Sequence, residues 1–269
     1  MYTNNPFPQT IYKYRDWKDD KHKRVLTFNE LFLASPGTFN DPFDCRIPEN
    51  YHLLDTEEKI DQFIKNMTDK HRDRIISSGY DVEERKENFK ERFKDINATQ
   101  KEHELNEFKK IDECYGVLSL TARWDSLLMW SHYGKDHKGF CIGFNEEKLR
   151  NSGLFGTGGM VTYGDSFPTR NPLEDRHPFV DSGLQLNHKA SDWSYEQEYR
   201  LINLNLEGMT DKERVISISD ECITEINLGL RIAEDSKAEI TSVARRKKIR
   251  LFQLVKVPFQ FELSRVEIK

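Results

Sequence analysis

The spacing of apolar residues divides the chain into three regions. Residues 1–54 and 115–269 contain short apolar runs that end at Gly, Pro and Asn, a pattern typical of strands joined by turns. Residues 55–112 are highly charged and place apolar residues three and four positions apart, as in the segment from Ile60 to Met67. This second pattern predicts amphipathic helices. Because strands dominate without regular alternation with helices, we predict an α+β fold.

The predicted architecture is a single domain, residues 1–269, with a mixed and mainly antiparallel sheet as its core. Residues 55–112 are predicted to be a helical insertion within that domain. The glycine-rich stretch 153–159 lacks the Lys-Ser or Lys-Thr of a phosphate-binding loop. We therefore expect a flexible surface loop there, and an irregular chain over residues 164–192.

The composition and charge of the chain argue against several classes of protein. The 269 residues carry a formal net charge of −5, which argues against binding nucleic acid through bulk charge but leaves a local basic groove open. No stretch approaches the ~18 apolar residues of a membrane span, and the polar residues 1–24 do not resemble a secretory signal. The 4 cysteines are far apart, with no CxxC pair. We predict a cytoplasmic protein with reduced thiols and no membrane partner.

The segment from Trp193 to Arg200 has the densest candidate chemistry. Glu196 and Glu198 share one face if this segment is extended, and Trp193 and Tyr195 flank them. Two interpretations stay open. Glu198 and Arg200 could form an ion pair on a sheet face, which contributes little to stability when exposed. Alternatively, a carboxylate here could bind a ribose hydroxyl or stabilise a cationic transition state.

A short predicted helix, residues 126–133, contributes His132 and Tyr133. An imidazole beside a pocket can act as a hydrogen-bond donor or as a base. His137 follows His132 at a spacing of five, unlike the i, i+4 pair that binds zinc on one helix face. We therefore expect no metal site at these histidines.

The loop 38–44 contains Asn40, Asp41 and Asp44 around a proline. Asn and Asp before Pro favour a turn by hydrogen-bonding to their own backbone. A role in a site is the alternative, since loops after strands often carry function. Two Asp residues are too few for a hard-cation cage.

The order of the motifs resembles a bacterial family known only as domain of unknown function 2971. Its most specific pieces here are Asn-Asp-Pro-Phe at residues 40–43 and Met-Trp-Ser-His-Tyr at residues 129–133. The remaining segments, in order, are residues 12–15, 33–36, 116–120, 137–144 and 193–201. The resemblance covers roughly residues 11–202 and implies no established activity.

The same order is similar to ADP-ribosyltransferase-like folds. There, an early strand with an aromatic residue and a following strand with Ser hold NAD, and a late Glu-x-Glu acts at the nicotinamide ribose. This resemblance implies that Tyr14, Arg15 and Ser35 contact NAD, with Arg15 at the pyrophosphate. It makes Glu198 the main catalytic carboxylate and Glu196 its companion.

The other candidate residues complete that hypothetical pocket. His132 is a third catalytic candidate, and Asn40 and Tyr133 are expected to line the cofactor site. The residues expected to contact the substrate are Asp41, Trp193 and Tyr195.

Three functions follow. The first is an NAD-using ADP-ribosyltransferase or glycohydrolase, with a protein or nucleic acid as an open choice of acceptor, and a toxin or anti-phage effector as an open biological role. The second is a metal-dependent nuclease or base-removing glycosidase that uses Asp41, Asp44, Glu198 and His132, with residues 245–248 at the phosphates. The third is a non-enzymatic binding module in which residues 55–112 form the interface. The oligomeric state stays open.

Overall fold

The computed structural model describes residues 7–269. The chain divides into two compact units. The sheet unit contains the chain up to Asn40 together with Asp112–Asp165 and Lys189–Lys269. The helical unit contains Asp41–Ile111 and Ser166–His188.

Twelve strands occur in the described residues. They are β1 (Thr10–Arg15), β2 (Glu30–Phe32), β3 (Tyr115–Thr121), β4 (Phe140–Asn145), β5 (Thr157–Met160), β6 (Thr162–Gly164), β7 (His188–Ala190), β8 (Glu198–Leu204), β9 (Val215–Ser217), β10 (Ile223–Leu228), β11 (Arg250–Lys256) and β12 (Leu263–Ile268).

Nine α-helices lie in the same range. They are α1 (Asp20–Thr27), α2 (Glu57–Lys70), α3 (Arg72–Ser77), α4 (Val82–Arg92), α5 (Ile96–Cys114), α6 (Leu127–His132), α7 (Glu146–Arg150), α8 (Pro178–Leu186) and α9 (Glu234–Lys247). Over the part of the chain that is described, no helix is long and apolar enough to cross a membrane.

The main sheet has eight strands in the order β12-β11-β10-β4-β1-β3-β8-β5. Its neighbouring strands are antiparallel except for β10 and β11, which are parallel. A parallel pair needs a crossover, and α9 supplies it. The predicted α+β class, with a mixed and mainly antiparallel sheet, is confirmed.

The alternation of strand β1 gives the sheet two different faces. Ile11 packs with Ile142 and Phe144 in the larger apolar core, to which α1 and α9 also contribute. Tyr12 and Tyr14 point the other way, into a second cluster. Fully burying one such apolar side chain stabilises a fold by ~1.5–3 kcal/mol, so the two clusters fix which face each residue of β1 presents.

Strands β1 and β3 are adjacent in the sheet but pair at a single position, Tyr12 with Thr121. Farther along β3, Val117 pairs with Ala34 instead. The two strands therefore diverge. Lys13 bridges the gap, and its Nζ donates to the carbonyl of Ser119 at 2.5 Å.

Four helices, α2 to α5, fall in the segment predicted to be helical. Thr56 caps α2 and Asp81 caps α4, because each side chain accepts from backbone N–H groups of the first turn. An aromatic core of Tyr51, Phe63 and Phe93 packs inside the helical unit. Residues 55–112 do not form this unit alone, since residues 166–188 belong to it and contain α8. The expectation of an irregular chain over 164–192 was wrong at α8 and β7.

The glycine-rich stretch also differs from expectation. Strand β5 pairs with β8 as the edge of the main sheet, so Gly158 and Gly159 are strand residues rather than a flexible loop. A Cβ at Gly158 would lie 2.5 Å from Leu201 Cδ2 and 2.9 Å from the Arg200 carbonyl. The glycine is needed here for close approach to β8.

Candidate functional site

Two carboxylates and a lysine meet where the chain enters β8. Residues Ser191–Glu196 form a 3₁₀ turn, and Gln197 then adopts a left-handed conformation, with φ of 42°. Glu196 therefore ends a turn, whereas Glu198 begins a strand. Both side chains reach Lys189 Nζ, which lies 2.6 Å from Glu196 Oε2 and 3.2 Å from Glu198 Oε2.

Glu198 forms a two-pronged ion pair with Arg200 on the same face of β8. Arg200 Nε lies 2.8 Å from Glu198 Oε1, and Nη2 lies 2.9 Å from Oε2. Both residues are buried, with 4% and 0% exposure. Burial alone would raise the pKa of Glu198, but the charges of Arg200 and Lys189 lower that pKa to about 2. Glu198 is therefore a fixed negative charge at all ordinary pH values.

Glu196 has a different environment although it lies two residues away. Its Oε1 accepts from the Tyr133 hydroxyl at 2.6 Å, and its Oε2 accepts from Lys189. Burial raises the pKa of Glu196, and the negative charge of Glu198 adds to the increase, against the opposing effect of Lys189. Burial and the bond to Glu196 likewise raise the pKa of Tyr133. The two carboxylates thus titrate in different pH ranges, as in paired acid–base sites.

Aromatic rings surround Glu196 and contact one another in succession. His132 lies edge-on to Tyr133 with centroids 6.2 Å apart, and its Nδ1 lies 2.9 Å from the Tyr195 hydroxyl. Tyr195 packs on Trp193 at 6.2 Å, and Lys189 Nζ lies 4.9 Å from the centre of the Trp193 ring. His132 is exposed, and the other three rings are half-buried. We call this group the carboxylate site, and its members are Glu196, Glu198, Lys189, Tyr133, His132, Tyr195 and Trp193.

A known protein family matches this region of the chain. Residues 129–201 match the family described as Protein of unknown function (DUF2971). The matched segment includes every member of the carboxylate site. The resemblance inferred from the order of motifs is therefore confirmed over these residues. No curated protein and no solved structure matches the chain, and the comparisons do not support the similarity to ADP-ribosyltransferases.

Within the DUF2971 segment, the predicted residues Glu196, Glu198, His132, Tyr133, Trp193 and Tyr195 are brought together. Asn40, which precedes that segment, joins them, because its side chain hydrogen-bonds to Tyr133. This hydrogen bond lowers the pKa of the Tyr133 phenol and so opposes the larger effect of burial. The observed Glu198–Arg200 pair also corresponds to the interpretation of an ion pair on a sheet face, but in a buried form.

Three residues predicted to bind NAD are not part of the carboxylate site. Tyr14 is 3% exposed, donates to the Arg123 carbonyl at 2.9 Å and packs edge-on against Trp130. Arg15 is its neighbour on β1 and so points to the opposite face, where it lines a separate cavity.

Ser35 is occupied elsewhere in the sheet unit. Its hydroxyl donates to the Asp112 carbonyl at 2.8 Å. The preceding Ala34 pairs with Val117, whereas Glu198 lies opposite Thr121. Four residues of extended strand separate the two positions on β3 by ~13 Å.

Asp41 and Asp44 belong to the helical unit. Asp41 Oδ1 accepts from the Phe43 amide at 2.9 Å, which is the turn role predicted for it, and Oδ2 is buried without a hydrogen-bond partner. Asp44 Oδ1 accepts from the thiol of Cys45 at 3.4 Å. Among residues 7–269, no group of three or more His, Cys, Asp or Glu side chains is placed to hold a metal ion.

Sequence reasoning missed the lysine at the centre of the carboxylate site. Lys189 lies in a stretch predicted to be irregular, and its only sequence signal is an isolated cation shortly before two carboxylates. It also missed Tyr163, whose hydroxyl accepts from the Glu198 amide at 2.8 Å, and Ser119, whose side chain hydrogen-bonds to Glu198. Both come from strands whose pairing the sequence does not specify.

Proposed function

We propose that this protein is an enzyme that breaks the bond between a ribose and its base in a dinucleotide, with NAD as the substrate. The observation that carries the proposal is the pair of carboxylates at 196 and 198, which are pushed to opposite sides of the ordinary Glu pKa. Such a split is how one site supplies both a proton-exchanging group and a permanent charge. The aromatic rings around Glu196 offer surfaces on which a nicotinamide can stack.

The chemistry assigns separate roles to the two carboxylates. When the C–N bond breaks, its electron pair leaves with nicotinamide, and the ribose carbon becomes cationic. Glu198 stays ionised and supplies negative charge near that carbon. Glu196 then takes the proton from the attacking water or acceptor hydroxyl, and the new C–O bond forms. Its raised pKa brings it closer to a working pH than an ordinary Glu.

The other members of the site hold these groups in position. Lys189 contacts both carboxylates, so it fixes their separation. Tyr133 orients Glu196 through a 2.6 Å hydrogen bond. His132, which is exposed, is a donor for a ribose hydroxyl or for the acceptor. The acceptor is water in a glycohydrolase, or a protein or nucleic acid in a transferase.

Glu196→Gln is the sharpest test. The amide has the same shape and still accepts from Lys189, but it cannot take a proton. Glu198→Gln is a poorer test, because it leaves the buried guanidinium of Arg200 without its full ion pair. A matched control is Glu207→Gln, which makes the same change at an exposed residue of the sheet unit.

The measurement is nicotinamide released from NAD by the full chain, with water alone and with total protein or RNA as acceptor. We expect release by the wild type and by Glu207→Gln, and a loss of roughly 10²–10⁴-fold in Glu196→Gln. Equal release by Glu196→Gln and the wild type would refute the role of this carboxylate. No release by the wild type under any of these conditions would refute the NAD reaction itself.

A further inference from the structure

A cavity of about 410 Å³ lies in the sheet unit on the other face of β1 from Tyr14. Its volume is in the range of small-molecule sites, ~300–1,000 Å³. Strand β1 and helix α1 supply five basic side chains to its wall, which are Lys13, Arg15, Lys21, His22 and Arg24. Of the acidic residues in the described chain, Glu30 and Asp211 line it.

The positive charge of this cavity is only partly neutralised. Arg24 pairs with Glu30, with Nη2 and Oε2 2.5 Å apart. Lys13 instead contacts a backbone carbonyl, and the Arg15 guanidinium reaches the carbonyl of Tyr14 at 3.4 Å. Within residues 7–269, neither cation has a carboxylate at ion-pair distance. Cations that are withdrawn from solvent are normally paired, and the more distant charges of Glu198 and Asp19 offset the burial of Lys13 and Arg15 only in part.

The electrostatics of the cavity agree with its geometry. Burial lowers the pKa of Lys13, and the neighbouring Arg15 lowers it further. Burial lowers the pKa of Arg15 to about 10. The pKa of His22 is lowered by burial and then by Arg15, with a smaller opposing effect of Asp19. An anion bound among these groups would favour their charged forms and so raise their pKa values.

Part of the cavity lining is apolar. Phe32 and Val215 are directly opposed in the β2–β9 pair, and both line the cavity. Their exposures are 46% and 42%, which is high for large apolar side chains. The cavity therefore combines a cationic wall with an accessible aromatic ring, and a ligand that fits both needs an anionic group and a flat ring.

We propose that this cavity binds a nucleoside phosphate, with the phosphates on Lys13, Arg15 and Lys21 and the base against Phe32. The site goes beyond the NAD reaction proposed above, because it needs neither Glu196 nor any turnover. Arginine recognises phosphate through two parallel donors, and lysine adds a point charge. Such a site would give the protein a nucleotide ligand separate from its substrate.

Binding is tested with AMP, ADP and pyrophosphate as probes, by calorimetry and by the shift of the thermal midpoint of the full chain. Arg15→Gln removes a half-buried cation. Arg246→Gln removes an exposed arginine on α9 and is the matched control. Lys21→Gln guards against misfolding, because Lys21 is exposed.

We expect ADP to raise the thermal midpoint of the wild type, of Arg246→Gln and of Glu196→Gln alike, since binding to the folded state alone stabilises it. The affinity should fall roughly tenfold in Arg15→Gln and in Lys21→Gln, the loss of one charged hydrogen bond each. It should also weaken as salt rises.

Three results would overturn the inference. One is the absence of any heat or midpoint shift with all three probes. Another is an equal affinity in Arg15→Gln, Lys21→Gln and Arg246→Gln. The third is pyrophosphate binding as tightly as ADP, which would remove the base from the proposal. Because Glu196→Gln is included, failure of the NAD reaction leaves this result unaffected.

Discussion

Each unit of the molecule buries an arginine among carboxylates, but the two clusters connect the chain in different ways. Arg170, 2% exposed, belongs to the helical unit, and Arg200, 0% exposed, to the sheet unit. Arg200 pairs with Glu198, which lies two residues away on the same strand. Arg170 bonds to residues from three separate stretches of the chain.

The contacts of Arg170 explain its burial. Its Nη1 donates to the Ile47 carbonyl at 2.6 Å, and its Nη2 lies 2.8 Å from Glu107 Oε1 and 2.6 Å from Asp181 Oδ2. These partners lie in the loop before α2, in α5 and in α8. Arg170 therefore ties the two chain segments of the helical unit together.

The ion pairs described around Arg200 span much shorter distances along the chain. Lys189 bonds to Glu196 and Glu198, seven and nine residues farther along the chain. Burying four charges costs free energy that ion pairs between residues so close in sequence do not return by linking distant segments. Local rules are commonly broken at functional sites, and that is why we place the chemistry here and assign Arg170 to stability. Burial of charge alone does not separate these two cases, but the sequence distance between the ion-paired residues described here does.

The largest expected effect is at Arg170. Arg170→Met leaves Glu107 and Asp181 without their buried cation, and we expect the free energy of unfolding of the helical unit to fall by ~3–5 kcal/mol. Urea denaturation followed by circular dichroism at the helical band measures it. Arg72→Met, at an exposed position of α3, is the control and should be nearly neutral. Equal midpoints for the two variants would remove the structural role of Arg170.

Next in size is the acid dependence of the sheet unit. The pKa of Glu198 is about 2 in the folded chain and ordinarily 4.5, so its ion pair stabilises the fold above about pH 4.5. That contribution, on the order of 3 kcal/mol, is lost as the pH falls toward 2. Glu196 acts in the opposite direction, because a raised pKa means that protonation favours the folded state.

The measurement is the free energy of unfolding from pH 2 to 6. Glu198→Gln should flatten the rise of stability with pH, whereas Glu207→Gln should retain it. An unchanged slope in Glu198→Gln would show that this ion pair does not have the depressed pKa.

The smallest expected effect separates the two carboxylates. Tyr133→Phe removes the hydrogen bond to Glu196 and should cost ~1–3 kcal/mol. Because that bond lowers the pKa of Glu196, its loss should raise this pKa further. The acid limb of the pH–activity profile should therefore move to higher pH. Tyr80→Phe, at an exposed tyrosine, should not move it, and an unmoved limb in Tyr133→Phe would exclude Glu196 as the titrating group.

The parts of the fold set by local spacing could be predicted from the sequence. Residues 115–121, which are among the short apolar runs that predict strands, form β3. The helix predicted from Ser126 is α6, and the Ser126 side chain caps it by accepting from the Met129 amide. The pairing of Glu198 with Arg200 follows from strand periodicity.

The same periodicity argues against one expectation from the resemblance to NAD-binding folds, namely that Tyr14 and Arg15 contact NAD together. Tyr14 and Arg15 are adjacent on one strand, so they point to opposite faces and cannot hold one ligand together. The tertiary contacts were not predictable. Lys13 meets Ser119, more than a hundred residues away, and a left-handed Gln197 redirects Glu196. Neither feature can be recognised from the spacing of apolar and polar residues in the sequence.

The central pairing of the main sheet has a consequence for the rate of folding. Strand β1 pairs with β4 over its whole length, from Thr10 with Asn145 to Arg15 with Phe140, and the chain of α2 to α5 lies between them. Closing so long a loop costs chain entropy before any sheet contact compensates it. Helices form from neighbouring residues and need no such closure, so we expect α2 to α5 to gain structure first. The centre of the sheet would then form late, and folding would be slow for a chain of this size.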